Sequence, residues 1–116
     1  MAKTPEGEIV EYIKKQLKAR GCLVRKIGYE MRRGCPDLLV LAPQHFIHSS
    51  ESNDGCPFYR ESCVIFVEVK KSEDTMPEEH QLREHARMRA VGADVRVIGS
   101  KRQVDELVKE LFPCDQ

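Results

Sequence analysis

The chain has 116 residues, of which 41% are hydrophobic and 33% charged, and its basic and acidic residues cancel to a net charge of zero. This length suits one domain with a single core, and no apolar run approaches the roughly 20 residues that span a membrane. The first residues lack the apolar segment of a signal peptide. We therefore expect one domain over residues 1–116 in a cytoplasmic protein without a membrane partner.

Five cysteines are present without a CxxC pair, which favours reduced thiols over a disulfide framework. A zinc site is the less favoured interpretation of His45, His48, Cys56 and Cys63, because only His45 and His48 form the tight pair that zinc sites usually contain. The favoured interpretation is an ordinary polar insertion.

The first third of the chain is basic although the whole chain is neutral. Residues 1–36 contain nine basic and four acidic side chains: Lys3, Lys14, Lys15, Lys18, Arg20, Arg25, Lys26, Arg32 and Arg33 against Glu6, Glu8, Glu11 and Glu30. A basic patch of this kind can neutralise the phosphates of a nucleic acid, although a solvated helix face would look similar.

The first predicted element is a helix over residues 5–20. Ile9, Ile13 and Leu17 recur at helical spacing, Thr4 can cap the start, and Gly21 follows the end. A short strand is predicted over 22–27, a polar turn or loop over 28–34, and a buried strand over 37–41.

Residues 43–62 lack periodicity and are predicted to form a long loop. A strand over 63–70, a helix over 78–91, a strand over 95–98 and a helix from Ser100 to about residue 112 follow. The order α-β-β-β-α-β-α predicts an α/β fold with a mixed sheet flanked by helices, in which the last strand pairs in parallel across a helical crossover.

Two ionisable residues interrupt the apolar strand over 63–70. Strand alternation sends Glu68 and Lys70 to one face, about 6.6 Å apart, while Val67 and Val69 point into the core. A half-exposed surface strand would also carry such a pair, so the Glu-x-Lys pattern by itself does not define a site.

Asp37 opens the other apolar strand, directly after Gly34-Cys35-Pro36. Pro36 fixes its own φ angle and biases Cys35 toward extended geometry, which makes the approach to Asp37 rigid. Asp37 could be a simple turn residue. If the two strands are antiparallel neighbours, however, Asp37 lies close to Glu68 and Lys70.

Glu6 lies on the apolar stripe of the first helix, within about 60° of Ile9, Ile13 and Leu17 at 100° per residue. A carboxylate in this position needs a partner, and a metal ion or an exposed helix end would explain it.

Together these residues resemble the PD-(D/E)xK nucleases, and within them the virus-type replication-repair nuclease (VRR-NUC) domain. The resemblance covers nearly the whole chain and rests on Glu6, Gly34-x-Pro36-Asp37, Glu68-Val69-Lys70, Gln81 and Gly92. The chain departs from the family pattern in the longer connection between Asp37 and Glu68.

This resemblance implies a restriction-endonuclease-like fold and a metal-dependent active site. Asp37 and Glu68 would hold one or two Mg²⁺ ions, or Mn²⁺ as a substitute, together with the Val69 carbonyl and Glu6. Lys70 would position or deprotonate the attacking water and stabilise charge on the phosphate, and Gln81 would orient water or backbone.

The resemblance also implies a stand-alone, structure-selective endodeoxyribonuclease in a bacterial or phage-infected cell. Relatives without extra domains resemble Holliday junction resolvases, which act on branched DNA as homodimers. A flap or nicking nuclease and a non-catalytic nucleic-acid-binding module are the alternatives.

His80 and His85 are expected to be exposed or to contact phosphate. The expected nucleic-acid contacts are Lys14, Lys18, Arg32, Arg33, Arg83 and Arg87.

Overall fold

In the computed structural model, which describes residues 4–47 and 58–113, three helices accompany six strands. The helices are α1 (Pro5–Lys18), α2 (Glu79–Ala90) and α3 (Lys101–Leu111). The strands are β1 (Leu23–Lys26), β2 (Leu38–Ala42), β3 (His45–Ile47), β4 (Phe58–Arg60), β5 (Cys63–Val69) and β6 (Asp94–Ile98). Among the described residues, no helix has both the length and the apolar character needed to cross a bilayer.

The main sheet has the strand order β1-β2-β5-β6. β2 pairs antiparallel with both β1 and β5, whereas β6 pairs in parallel with β5 after the crossover through α2. The predicted mixed sheet and its parallel last pair are confirmed. Because β2 and β5 are antiparallel neighbours, the start of β2 and the end of β5 lie side by side at the same end of the sheet.

The hydrophobic core lies on one face of the sheet, under α1 and α3. Val40, Ile65 and Val67 are completely buried there, and they cluster with Ile13 and Leu17 of α1. From α3 the same cluster receives Val104, Leu107, Val108 and Leu111. The predicted apolar stripes of the two helices therefore form one core with the alternate residues of the strands.

The opposite face of the sheet is covered by α2 over part of its area. Glu68 alternates with the core residue Val67, and its carboxylate lies beside His85 of α2, so α2 must lie on this second face. Farther from α2, Leu23, Leu41 and Val64 are direct neighbours in register across three strands. Leu23 and Val64 are 49% and 47% exposed, which leaves an apolar row on an open part of the sheet.

The predicted long loop over 43–62 is wrong in part, because β3 and β4 pair as a second, two-stranded antiparallel sheet. Residues 48–57, within the same prediction, lie outside the described residues. Arg60 fixes this hairpin to the domain: its guanidinium donates to the carbonyl oxygens of Pro43 and Leu111 at 2.9 and 2.8 Å and lies over the Phe112 ring. Strands of three residues are too short to produce a periodic sequence signal.

Candidate active site

The pairing of β2 with β5 brings Asp37 to the end of β5. Leu38 pairs with Val67, so Asp37, one residue earlier, lies beside Glu68. The Oδ2 atom of Asp37 accepts a hydrogen bond of 2.7 Å from the backbone N–H of Val69. This bond fixes the Asp37 carboxylate against the strand that carries Glu68 and Lys70. We refer to these three residues as the Asp37–Glu68–Lys70 cluster.

A close backbone contact with α2 holds the segment before Asp37. Gly34 has a φ of 97°, and an added Cβ would lie 3.0 Å from the Cβ of Glu84 and 3.1 Å from the carbonyl oxygen of His80. Glycine is therefore required both by its backbone conformation and by the lack of space. Pro36 is buried one residue before Asp37. The absence of a side chain at Gly34 thus allows this turn to pack directly on the helix that also lines the cluster.

Glu68 is a nearly completely buried carboxyl group with 2% of its surface exposed. Burial raises its pKa from 4.5 to about 8, and the hydrogen bond and negative charge of Asp37 add to this effect. The Lys70 ammonium, 4.0 Å from the Oε2 atom of Glu68, opposes the increase. Two adjacent carboxyl groups therefore share a site from which water is largely excluded, which is an arrangement that a divalent cation would stabilise.

Lys70 is connected to α2 through Gln81. The Oε1 atom of Gln81 accepts from Lys70 Nζ and from the backbone N–H of Glu78, each at 2.8 Å. One amide thus satisfies the helix N-terminus and holds the Lys70 ammonium, whose side chain is 14% exposed, toward Glu68. Gln81 therefore contacts the cluster directly.

Glu6 does not converge with the two carboxylates to form a three-ligand group among the described residues. Its side chain is exposed, and its charge makes the smallest of the contributions that raise the pKa of Glu68. Within residues 4–47 and 58–113, no three His, Cys, Asp or Glu side chains converge as a metal-binding group. Glu6 is thus electrostatically coupled to the cluster without forming a third converging ligand.

His85 was expected to be exposed or to contact phosphate, and this expectation is wrong. The side chain is completely buried, with Nε2 3.5 Å from the Oε1 atom of Glu68. Burial lowers the pKa of His85, and the charges of Arg89 and Lys70 lower it further. The signal in the sequence was the spacing: His85 follows Gln81 by four residues, so both must face the sheet once Gln81 contacts Lys70.

The six predicted nucleic-acid contacts differ in whether they form ion pairs within the protein. Arg32 forms a 2.9 Å ion pair with the buried carboxylate of Glu84, and Arg87 approaches the same carboxylate at 3.5 Å. Arg83 pairs with Glu79 one helical turn away. The remaining three predicted contacts carry no ion pair among the described residues: Arg33 and Lys18, which are exposed, and Lys14, which is half-buried.

The alternative zinc site is divided by the boundary of the described residues. His48 and Cys56 lie outside them. His45 packs edge-on against Phe112 at 4.9 Å, and Cys63 accepts a hydrogen bond from Arg60. The described pair therefore takes part in the packing of the hairpin against the domain.

Comparison with solved structures agrees with this fold. A solved structure described as a VRR_NUC domain matches with a TM-score of 0.77 and 44% sequence identity, and the match covers 95% of this chain and 100% of that chain. No family model matches the chain, and no curated protein matches it.

A mixed sheet flanked by helices, with an aspartate and a Glu-x-Lys strand meeting at one edge, defines a nuclease of the PD-(D/E)xK type. Within that class, the identity and full coverage of the solved relative place the chain more narrowly. The chain belongs to the VRR-NUC domain family.

Proposed function

We propose that this protein is a Mg²⁺-dependent endodeoxyribonuclease that cleaves branched DNA as a homodimer, in the manner of a Holliday junction resolvase. The main support is the buried pair of Asp37 and Glu68 with Lys70 beside it. Family membership supports nuclease activity in general. The metal, the branched substrate and the dimer are the new parts of the proposal.

The donor set fits a hard divalent cation. The Asp37 and Glu68 carboxylates, with the Val69 carbonyl, would hold Mg²⁺ or Mn²⁺, because these ions prefer oxygen ligands. The charge of Glu6 would add to the negative potential at this site. The chemistry of this pair supports the fit, because two adjacent carboxyl groups, one of them almost completely buried, are stabilised by a divalent cation. When bound, the ion supplies Lewis-acid polarisation of the phosphate and a more acidic water.

The protein's own groups have separable roles. Asp37 is fixed by the Val69 N–H, so its carboxylate needs no reorganisation before the reaction. Lys70 stabilises negative charge that develops on the phosphate and orients the attacking water, while Gln81 keeps its ammonium in place. Arg33 and Lys71 are exposed next to Gly34 and Lys70 along the chain, where they can neutralise backbone phosphates.

Two-fold symmetry is the reason for proposing a dimer, because a four-way junction presents two equivalent strands to be cut. The apolar row formed by Leu23, Leu41 and Val64 lies on the open part of the sheet and supplies a surface for a second copy. Light scattering after size exclusion should give twice the chain mass, and Val64→Glu should give the monomer. A monomer for the wild type at all concentrations would contradict this part.

A cleavage assay tests the catalytic part of the proposal. Four-way junction, flap, nicked and linear duplex DNA of matched sequence are incubated with Mg²⁺, with Mn²⁺ and with a chelator. We expect metal-dependent cleavage of the junction. Asp37→Ala and Lys70→Ala should each lower the rate by about 100-fold or more, whereas Lys109→Ala, on the last turn of α3, should not.

The other outcomes of the assay are equally informative. Preferential cleavage of flaps or nicks would replace the junction as the substrate. Binding without cleavage under either metal would indicate a non-catalytic nucleic-acid-binding module. Normal cleavage by both Asp37→Ala and Lys70→Ala would show that the reaction takes place elsewhere.

A further inference from the structure

His85 is a polar side chain in an unusual position. It is completely buried between α2 and the sheet, and neither ring nitrogen has a hydrogen-bond partner among the described residues. Burying polar atoms without partners is costly, by about 1–3 kcal/mol for each group. A hydrophobic side chain of similar size would avoid this cost if the position served packing alone.

The neighbour of His85 explains why a polar ring is useful there. The Nε2 atom of His85 lies 3.5 Å from Glu68 Oε1, a buried carboxylate oxygen that also has no hydrogen-bond partner among the described residues. The second oxygen, Oε2, lies toward Lys70 at 4.0 Å. The two oxygens of one carboxylate are therefore directed to different sides: one faces the helix, and the other faces the cluster.

We propose that His85 is a positioning residue: its Nε2–H faces Glu68 Oε1 across 3.5 Å, forms a hydrogen bond to this oxygen when the carboxylate holds a metal, and thereby fixes the orientation in which Glu68 presents Oε2. This inference rests on the proposed function. A neutral imidazole has one N–H and one acceptor nitrogen, so the proposal also assigns the tautomer, with the proton on Nε2. Partners that orient a metal-binding group commonly change metal affinity or activity by about 10–100-fold when they are removed.

Three substitutions separate hydrogen bonding from packing. His85→Gln keeps an amide N–H near the position of Nε2, whereas His85→Leu and His85→Met fill the space without a donor. His80→Leu is the matched control, because His80 lies on the same helix and pairs with the exposed Glu78 instead of Glu68. Circular dichroism and thermal unfolding establish that each variant is folded.

The primary measurement is Mn²⁺ binding by isothermal titration calorimetry, without DNA. We expect His85→Leu and His85→Met to bind Mn²⁺ at least 10-fold more weakly than the wild type, and His85→Gln and His80→Leu to stay within about 3-fold of it. In cleavage assays, kcat at a fixed metal concentration should fall with little change in KM for DNA, and excess metal should restore it. Wild-type affinity in a folded apolar variant, or equal loss in His85→Gln, would overturn the proposal.

If neither apolar variant folds, the imidazole nitrogens of the wild type decide the question. Nitrogen-15 spectra should show the Nε2-protonated tautomer of His85, with and without Mg²⁺. The Nδ1-protonated tautomer would overturn the proposal. These results are independent of the wider function: normal cleavage by Asp37→Ala would refute the assigned site, whereas unaffected His85 variants would refute only the role of His85.

Discussion

The ionisation of Glu68 should make the stability of the metal-free protein depend on pH. Its pKa is about 8 in the folded protein, whereas an ordinary glutamate, as in the unfolded chain, has a pKa of 4.5. Below about pH 4.5 the Glu68 carboxyl is protonated whether the chain is folded or unfolded. Its contribution to the stability of the folded protein is then fully present. As pH rises toward 8, the unfolded chain ionises while the folded protein keeps its proton, so this contribution to stability is lost. Stability should therefore fall over this window and level off above it.

Glu68→Gln removes this ionisation while keeping the shape of the side chain. The difference between the two pKa values corresponds to an upper limit of roughly 4 kcal/mol between pH 5 and pH 8.5. From pH 5 to pH 8.5, the free energy of unfolding of the variant should rise by at least about 1 kcal/mol relative to that of the wild type. This is a substantial part of the stability of a small domain. Water entering the site in the ionised state would reduce the difference without changing its sign.

Urea unfolding at several pH values, in the presence of a chelator, measures this effect. Circular dichroism is the suitable probe because the chain contains no tryptophan. Glu79→Gln makes the same chemical change on a side chain that is 84% exposed. The stability of this control variant should change with pH in the same way as that of the wild type. Parallel curves for Glu68→Gln and the wild type would refute the assignment of a buried, proton-holding carboxyl at this position.

Three further substitutions test the packing of the domain, one beside the site and two away from it. Gly34→Ala should cost about 1–3 kcal/mol in unfolding free energy and slow cleavage, because its Cβ would meet α2 at 3.0 Å; Gly28→Ala, with nothing within 4 Å, is the control. Ile13→Ala, at a completely buried position, should cost about 2–5 kcal/mol in chemical unfolding while the folded fraction keeps its rate of cleavage. Arg60→Ala should lower the melting temperature by an amount that corresponds to about 1–3 kcal/mol, since the carbonyl oxygens it binds lose their donor. An unchanged melting temperature for Arg60→Ala would contradict its role in fixing the hairpin.

The parts of the fold that the sequence predicts well are those with a regular apolar pattern. Ile9, Ile13 and Leu17 define α1, and the alternation around Val67 defines β5. The contact of Asp37 with the end of β5 follows once the two apolar strands are taken as antiparallel neighbours, and the observed register confirms this. The catalytic and metal-binding roles assigned to these residues remain predictions.

The environment of α2 could not be predicted in the same way. Its buried residues are Glu84 and His85, whereas Leu82 is 42% exposed. The usual rule is inverted because this helix covers a group of ionisable side chains instead of an apolar core, so its polar residues face inward. A hydrophobicity pattern therefore places the wrong face of α2 toward solvent, and the burial of His85 is missed.

The point at which residues 43–62 leave the sheet has a consequence for how this domain can vary. β2 starts beside Asp37 and ends at Ala42, and β5 starts at Cys63 and ends beside Glu68. The extra segment therefore branches from the end of the strands opposite to the carboxylates, about 16 Å away at the rise of a five-residue strand. Segments of very different length could be accommodated there in related chains while the strand register held the two carboxylates in place. This connection is therefore a place where sequence can be inserted without moving the carboxylates, because the paired strands lie between them.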